Sequence, residues 1–308
     1  FNKNKSFIIP LKQKKSKLIK AIFNSQKKFK DSLFYDVSGW TFPYAYNLDF
    51  TYEDSNLNLG KSVTNINEYF NGLVNKKSDY AYLFEAHDYF SPKLLNLLLE
   101  NKIRVKVSLS NFKIDGKLYD YGTYLIPVQN QSVDEDKLYE KLNQFSKSTN
   151  IKIYGVNTGL AEGIDLGSRK FKTVNNVKIG LLVGPGIRSY DAGEIWHLLD
   201  TRHNIKVTKL DIRILNRIEL NNYSHLIIPS YSGDELNYNL KNIKNFVKNG
   251  GVLIGYRDTV KWLNKNNLIN INFLSNDLKP KNITFNQKQL FLGAQEIGGA
   301  IFDTKIDR

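Results

Sequence analysis

Between Val177 and Trp262 the chain alternates short apolar runs with turn formers and amphipathic segments, and no other stretch restricts the possible folds as tightly. Val177-Lys178-Ile179-Gly180-Leu181-Leu182-Val183 has strand length and is almost wholly apolar, the pattern of a strand buried on both faces of a parallel sheet. Gly184-Pro185-Gly186 ends it. Ser189 is placed to cap a helix, Asp191 puts negative charge in its first turn, and Ala192, Ile195, Leu198 and Leu199 share one face. Ile205 to Leu210 reads as a second strand, and Ser224 to Ile228, stopped by Pro229, as a third. The polar turn from Ser230 to Asp234 leads to a helix with Leu236, Leu240, Ile243 and Val247 on its face, closed by Gly250-Gly251. Val252 to Gly255 is a fourth strand, and Tyr256-Arg257-Asp258 turns into a helix carrying Val260, Trp262 and Leu263. This alternation predicts a parallel sheet covered by helices on both faces, with any site at the carboxyl ends of its strands.

Upstream, strands are expected at Ser6 to Ile9, Tyr80 to Glu85, Ile103 to Leu109, Lys117 to Ile126 and Ile151 to Val156, with Asp115-Gly116 as a hairpin turn. A basic amphipathic helix carrying Leu18, Ile19, Ile22 and Phe23 follows the first. Ser91-Pro92 opens a Leu-rich helix, and Ser132 to Glu135 reads as a capping box for a helix with Leu138, Leu142 and Phe145. Pro127 and Pro229 both close strands, as a residue that cannot donate to the ladder should. The mixed, Gly-rich stretch from Gly159 to Lys172 marks a boundary, giving an α/β accessory domain over 1–160 and a second domain over 161–308. The fold class is thus α/β, with two domains of mainly parallel sheets flanked by helices.

The 308 residues, 41% hydrophobic and 13% aromatic, suffice for two cores. No apolar run reaches membrane-spanning length and no signal peptide opens the chain. A start at Phe1 and the absence of Met predict a piece of something longer. Without Cys there is no disulfide, thiol nucleophile or thiolate metal site. The net charge of +14 is concentrated: residues 1–30 hold ten Lys and no acid, leaving +4 on the other 278. With no Arg there to read base edges, that segment reads as a solvated helix face, and no nucleic-acid partner is expected.

Four His residues, 87, 197, 203 and 225, limit metal chemistry; His197 and Asp200, three apart on a helix, lack an obvious third ligand. Ser230, with Glu194 or His197, is the available Ser-hydrolase arrangement, but Ile228-Pro229-Ser230-Tyr231-Ser232 lacks the first Gly of a nucleophile elbow. Gly184, Gly186, Arg188 and Ser189 resemble a worn dinucleotide loop that retains the means to hold an anion at a helix start. With Glu194, Ser230, Tyr256 and Arg257 they form the main candidate site. Asp36, Ser38 and Trp40, in an aromatic loop, and Glu85 and His87, at a strand end, form a second candidate pocket.

Five stretches carry a family resemblance: Tyr35 to Pro43, Asp120 to Gln129, Gly163 to Ser168, Tyr190 to Trp196 and Phe291 to Ala300. Together they resemble the region downstream of the catalytic domain in large bacterial zinc carboxypeptidases of the carboxypeptidase A superfamily. Within it, Val177 to Leu263 is similar to the class I glutamine amidotransferase-like fold, a flavodoxin-like three-layer sandwich. That fold carries a nucleophilic Cys, often followed by His, where this chain has Tyr256 and Arg257. The resemblance implies a periplasmic or extracellular accessory region, itself non-catalytic, whose partners are the catalytic domain of the same polypeptide and a peptide substrate. It implies no cofactor in this chain and zinc in the absent catalytic domain, activating water for peptide hydrolysis. A free-standing Ser-dependent hydrolase or amidotransferase-like enzyme, and a small-ligand or peptide-binding module, are the alternatives.

Overall fold

The computed structural model describes residues 6–24, 42–46, 48–54, 59–66, 71–273 and 283–288. The chain divides into two compact units, Phe1–Thr64 with Phe273–Arg308, and Asn65–Asn272. In the first, α1 (Ser16–Phe23) is the expected basic helix, yet none of its residues is buried and Leu18 stands 56% exposed. Phe7, Ile8 and Ile9 are exposed coil instead of the expected strand. An apolar run becomes a strand only where a neighbouring edge completes its ladder. After α2 (Phe42–Ala45), Phe50 makes ring contacts with Phe23 at 5.3 Å and Tyr44 at 5.4 Å.

The first half of Asn65–Asn272 contains β1 (Ala81–Phe84), α3 (Ser91–Glu100), β2 (Lys106–Ser108), β3 (Phe112–Ile114), β4 (Lys117–Tyr119), β5 (Tyr124–Pro127), α4 (Glu135–Thr149), β6 (Tyr154–Val156) and β7 (Phe171–Thr173). Five of these strands form a sheet in the order β6-β1-β5-β2-β7, and each of its pairings is antiparallel. This corrects the expectation of mainly parallel sheets here. The expected Lys117 to Ile126 strand breaks at Gly122, whose φ is +89°; its first part pairs back on β3 and its second joins β1. Asp115 and Gly116, at φ +50° and +74°, supply the tight turn between β3 and β4.

Every residue of β1 is buried, which in sequence imitates a parallel strand. Tyr82, Phe84 and Ile126 face Leu94, Leu98, Leu138 and Leu142 of α3 and α4, while Ala81, Leu83 and Leu125 face Phe112, Ile114 and Tyr119 of the β3–β4 hairpin. The hairpin covers the face that a second helical layer covers in a doubly wound sheet. Residues beyond the expected division at 160 serve this sheet too: β7 pairs with β2, and Leu166 and Phe171 lie in its core. The caps also differ. Asp134, rather than Ser132, accepts from Lys137 N at 2.9 Å to start α4, and Ser91 Oγ donates to Glu85 O at 2.6 Å instead of capping α3.

The second half contains β8 (Ile179–Val183), α5 (Ser189–Trp196), β9 (Val207–Asp211), β10 (His225–Ile228), α6 (Leu240–Lys248), β11 (Val252–Gly255) and α7 (Asp258–Lys265). Its four strands form the expected parallel sheet, in the order β11-β10-β8-β9. Leu182, Leu210, Leu226 and Ile228 pack on Ile243 and Phe246 of α6 and Trp262 and Leu263 of α7. Ile179, Leu181 and Ile227 pack on Ala192 and Ile195 of α5 on the other face. Leu181, Leu226 and Ile228 are fully buried, each stabilising the sheet by about 1.5–3 kcal/mol.

Local phase departs from the sequence reading in two places. Phe246, not Val247, is buried on α6, because a 3-10 turn over Glu235–Asn239 shifts the start of the helix. From His197 to Arg202 the helix after α5 widens into a π-helix, so His197 and Asp200 lose the three-residue α-helical spacing proposed for them.

Candidate functional site

The carboxyl ends of β8, β10 and β11 bring three loops together, and the main candidate residues gather there. After β8, Gly184 and Gly186 take φ of +108° and +77°. A Cβ on Gly186 would lie 2.7 Å from both Ser232 O and the Tyr231 ring, so the loop closes on its neighbour only without a side chain. Arg188 N donates to Ser230 O at 2.9 Å and Ser232 N donates to Gly186 O at 2.9 Å, zipping this loop to the one after β10. Arg188, rather than Ser189, is the residue at the cap position of α5, and its side chain makes no cap hydrogen bond. Ser189 and Glu194 are exposed on α5.

Ser230 and Tyr256 fasten the third loop. Ser230 Oγ donates to Asp258 Oδ2 at 3.2 Å, Tyr256 N donates to Ile228 O at 3.2 Å, and Thr259 Oγ1 donates to Pro229 O. Lys261 and Ser230 hold the Asp258 carboxyl below its ordinary range, Lys261 contributing most. Arg257 sits at the turn between β11 and α7 with φ +49° and ψ −119°, a conformation that costs a non-glycine residue on the order of 1–3 kcal/mol. Its Nη1 lies 3.6 Å from Asp191 Oδ1, and Arg188 Nε lies 3.8 Å from the same oxygen. Asp191 is 8% exposed and its Oδ2 has no hydrogen-bond partner among the described residues, whereas the Arg257 and Arg188 side chains are 60% and 56% exposed.

The outcome is a buried carboxylate that carries two solvent-facing guanidinium groups at the start of α5. Counting Lys261 and Asp258 as well, three cationic side chains stand against two carboxylates, so these five groups keep one surplus positive charge, suited to an anion. Asp191 and Asp258 complete the cluster although sequence reasoning did not name them as site residues. Their signals were present, Asp191 three residues after Arg188 and Asp258 directly after Arg257. Among the described residues, Ser230 has no imidazole within hydrogen-bonding distance; its hydroxyl is spent on Asp258.

Of the second candidate pocket, Asp36, Ser38 and Trp40 lie outside the described residues, as do Phe291 to Ala300. Glu85 is engaged: its Oε2 lies 2.7 Å from Lys117 Nζ, which sits 3.7 Å from the centre of the Tyr154 ring. His87 is exposed. Among the described residues, no three His, Asp or Glu side chains group so as to hold a metal ion, and no helix is long and apolar enough to cross a membrane.

Fold and site together define a mixed α/β protein with a parallel four-stranded sheet and a polar cluster at its strand ends. Comparison with protein-family models, with curated proteins and with solved structures gave no match.

Proposed function

We propose that this chain is a non-catalytic, substrate-positioning region of a periplasmic or extracellular zinc metallocarboxypeptidase, in which a flavodoxin-like, amidotransferase-related layer holds a peptide through its carboxylate. The single observation that carries the reading is the occupant of the strained turn after β11. Arg257 stands there, beside Tyr256, where the resembled fold carries its Cys and His, and it is tied to Asp191 at 3.6 Å. A guanidinium is a permanently charged, forked donor and not a nucleophile, so the turn favours binding of a carboxylate over covalent chemistry. Arg188 and the first-turn N–H groups of α5 extend the same surface. On this reading zinc belongs to a catalytic domain outside this chain, and these residues bind and orient peptide.

The test is calorimetric titration of the 308-residue chain with a peptide bearing a free C-terminus and with its C-terminal amide. Binding of the free acid, lost on amidation and weakened about tenfold or more by Arg257→Ala or Arg188→Ala, is expected. Equal binding of acid and amide, or no effect of either substitution, overturns the reading.

A further inference from the structure

At the other end of the parallel sheet, where its strands begin, a cleft of about 420 Å³ opens between the segment leading into β8, the turn before β10 and the turn before β11. That volume lies within the range of small-ligand clefts, roughly 300–1,000 Å³. Its lining is unusual for this chain. About a quarter of all residues are charged and the net charge is +14, yet among the described residues no Lys, Arg, Asp or Glu lines the cleft. In their place stand the carboxamides of Asn175, Asn221 and Asn249, the Ser224 hydroxyl, the His225 imidazole and the half-buried Tyr223.

The carboxamides are held in place without being used up, whereas the Ser224 hydroxyl is already committed and also donates to Lys178 O at 3.2 Å. Asn249 Nδ2 donates to Asn221 Oδ1 at 3.2 Å, and Asn221 Nδ2 donates to Glu219 Oε1 at 2.9 Å. Lys178 N donates to Ser224 Oγ at 2.8 Å, and Ser224 Oγ lies 2.8 Å from His225 Nδ1. A carboxamide offers two donors and two acceptor sites, so each Asn keeps capacity for a ligand. The main-chain donors of the turn before β11 are already taken: Gly250 N bonds Val247 O, Gly251 N bonds Phe246 O and Val252 N bonds Ser224 O. A side chain added at Gly250 would meet no atom within 4 Å, which leaves the mouth of the cleft open there.

We infer that this cleft binds an uncharged, N-acetylated sugar. A charged ligand would find no counter-charge among the side chains that line the cleft. An extended peptide takes its bonds from free main-chain groups, and the main-chain donors of the turn before β11 offer it none. A sugar instead asks for what the lining supplies. Vicinal hydroxyls and an acetamido group each pair with planar side-chain amides as donor and acceptor at once, and a ring such as Tyr223 covers the apolar side of a pyranose. This inference stands apart from the carboxylate-binding reading, which concerns the opposite end of the sheet.

The test is a titration of the ¹⁵N-labelled 308-residue chain with N,N′-diacetylchitobiose, alongside cellobiose and N-acetyl-Gly-Gly-amide. Saturable shifts are expected at the side-chain amides of Asn175, Asn221 and Asn249 and at the backbone of Gly250, with half-saturation near or below about 1 mM. Asn175→Ala, an exposed substitution that disturbs no described hydrogen bond, and Asn249→Ala should each raise the half-saturation point roughly three- to tenfold. The absence of shifts with diacetylchitobiose, shifts confined to other regions, or an equal response to the peptide amide would overturn the inference. So would unchanged affinity in folded Asn175→Ala.

Discussion

Arg257 Nη1 lies 3.6 Å from Asp191 Oδ1, joining the strained turn after β11 to the first turn of α5. The contact joins a turn and a helix start that are 66 residues apart in the chain, following β11 and β8. A residue that supplied only the charge could sit on a relaxed backbone. Here the guanidinium is presented from a φ of +49°, so its position and its backbone cost come together.

That coupling separates two substitutions at one site. Both Arg257→Gly and Arg257→Ala remove the guanidinium, but only Gly relaxes in the φ-positive turn. Arg257→Gly should therefore be more stable than Arg257→Ala by about 1 kcal/mol in urea denaturation, while both lose carboxylate binding alike. Equal stabilities would mean that the turn relaxes in the alanine variant.

Gly186 carries the opposite expectation. A methyl there meets Ser232 O and the Tyr231 ring at 2.7 Å from a φ of +77°. Gly186→Ala should destabilise the chain by roughly 2 kcal/mol, measured by urea denaturation, and uncouple the loops after β8 and β10.

Burial sets the scale for core changes. Leu226, fully buried in β10 between β8 and β11, should cost about 2–5 kcal/mol when changed to Ala. Leu160, 76% exposed, should change stability by less than about 0.5 kcal/mol on the same substitution.

Acid should expose the Asp211–Arg213 pair. Arg213 beside Asp211 holds that carboxyl at about 2 against an ordinary 3.8. Because the folded value is the lower one, its contribution is fully present above 3.8 and is lost as pH falls through about 2. The stability difference between the parent chain and Arg213→Ala, followed by denaturation across pH, should be constant at neutral pH and shrink over that window. A difference independent of pH down to about 2 would contradict the pairing.

The parallel sheet was readable residue by residue. Leu181-Leu182, Leu226-Ile227-Ile228 and Leu253-Ile254 are apolar at consecutive positions because both faces are covered, and Gly184, Pro229 and Tyr256 follow the strand ends as turns do. The same logic misread β1. Ala81 to Phe84 is also apolar throughout, but its second face is covered by the β3–β4 hairpin, whose arrival depends on pairings far along the chain. Ser189 and Ser132 looked like caps by spacing, yet the caps are Arg188 and Asp134, since the helix start shifts with the loop that delivers it.

By itself, then, the sequence determined the strands of the parallel sheet, their order of appearance, the Asp115-Gly116 hairpin turn and the neighbourhood of Gly184, Arg188, Ser230 and Arg257 at the strand ends. Those features rest on local periods and turn chemistry, which neighbouring residues encode. Only the tertiary structure decided that the first sheet is antiparallel, that Asp191 lies under Arg188 and Arg257, and that a cleft of neutral amides opens where the strands begin. Each of these needs segments distant in sequence to meet, and the side chains concerned take their partners from whichever segment the packed core sets beside them.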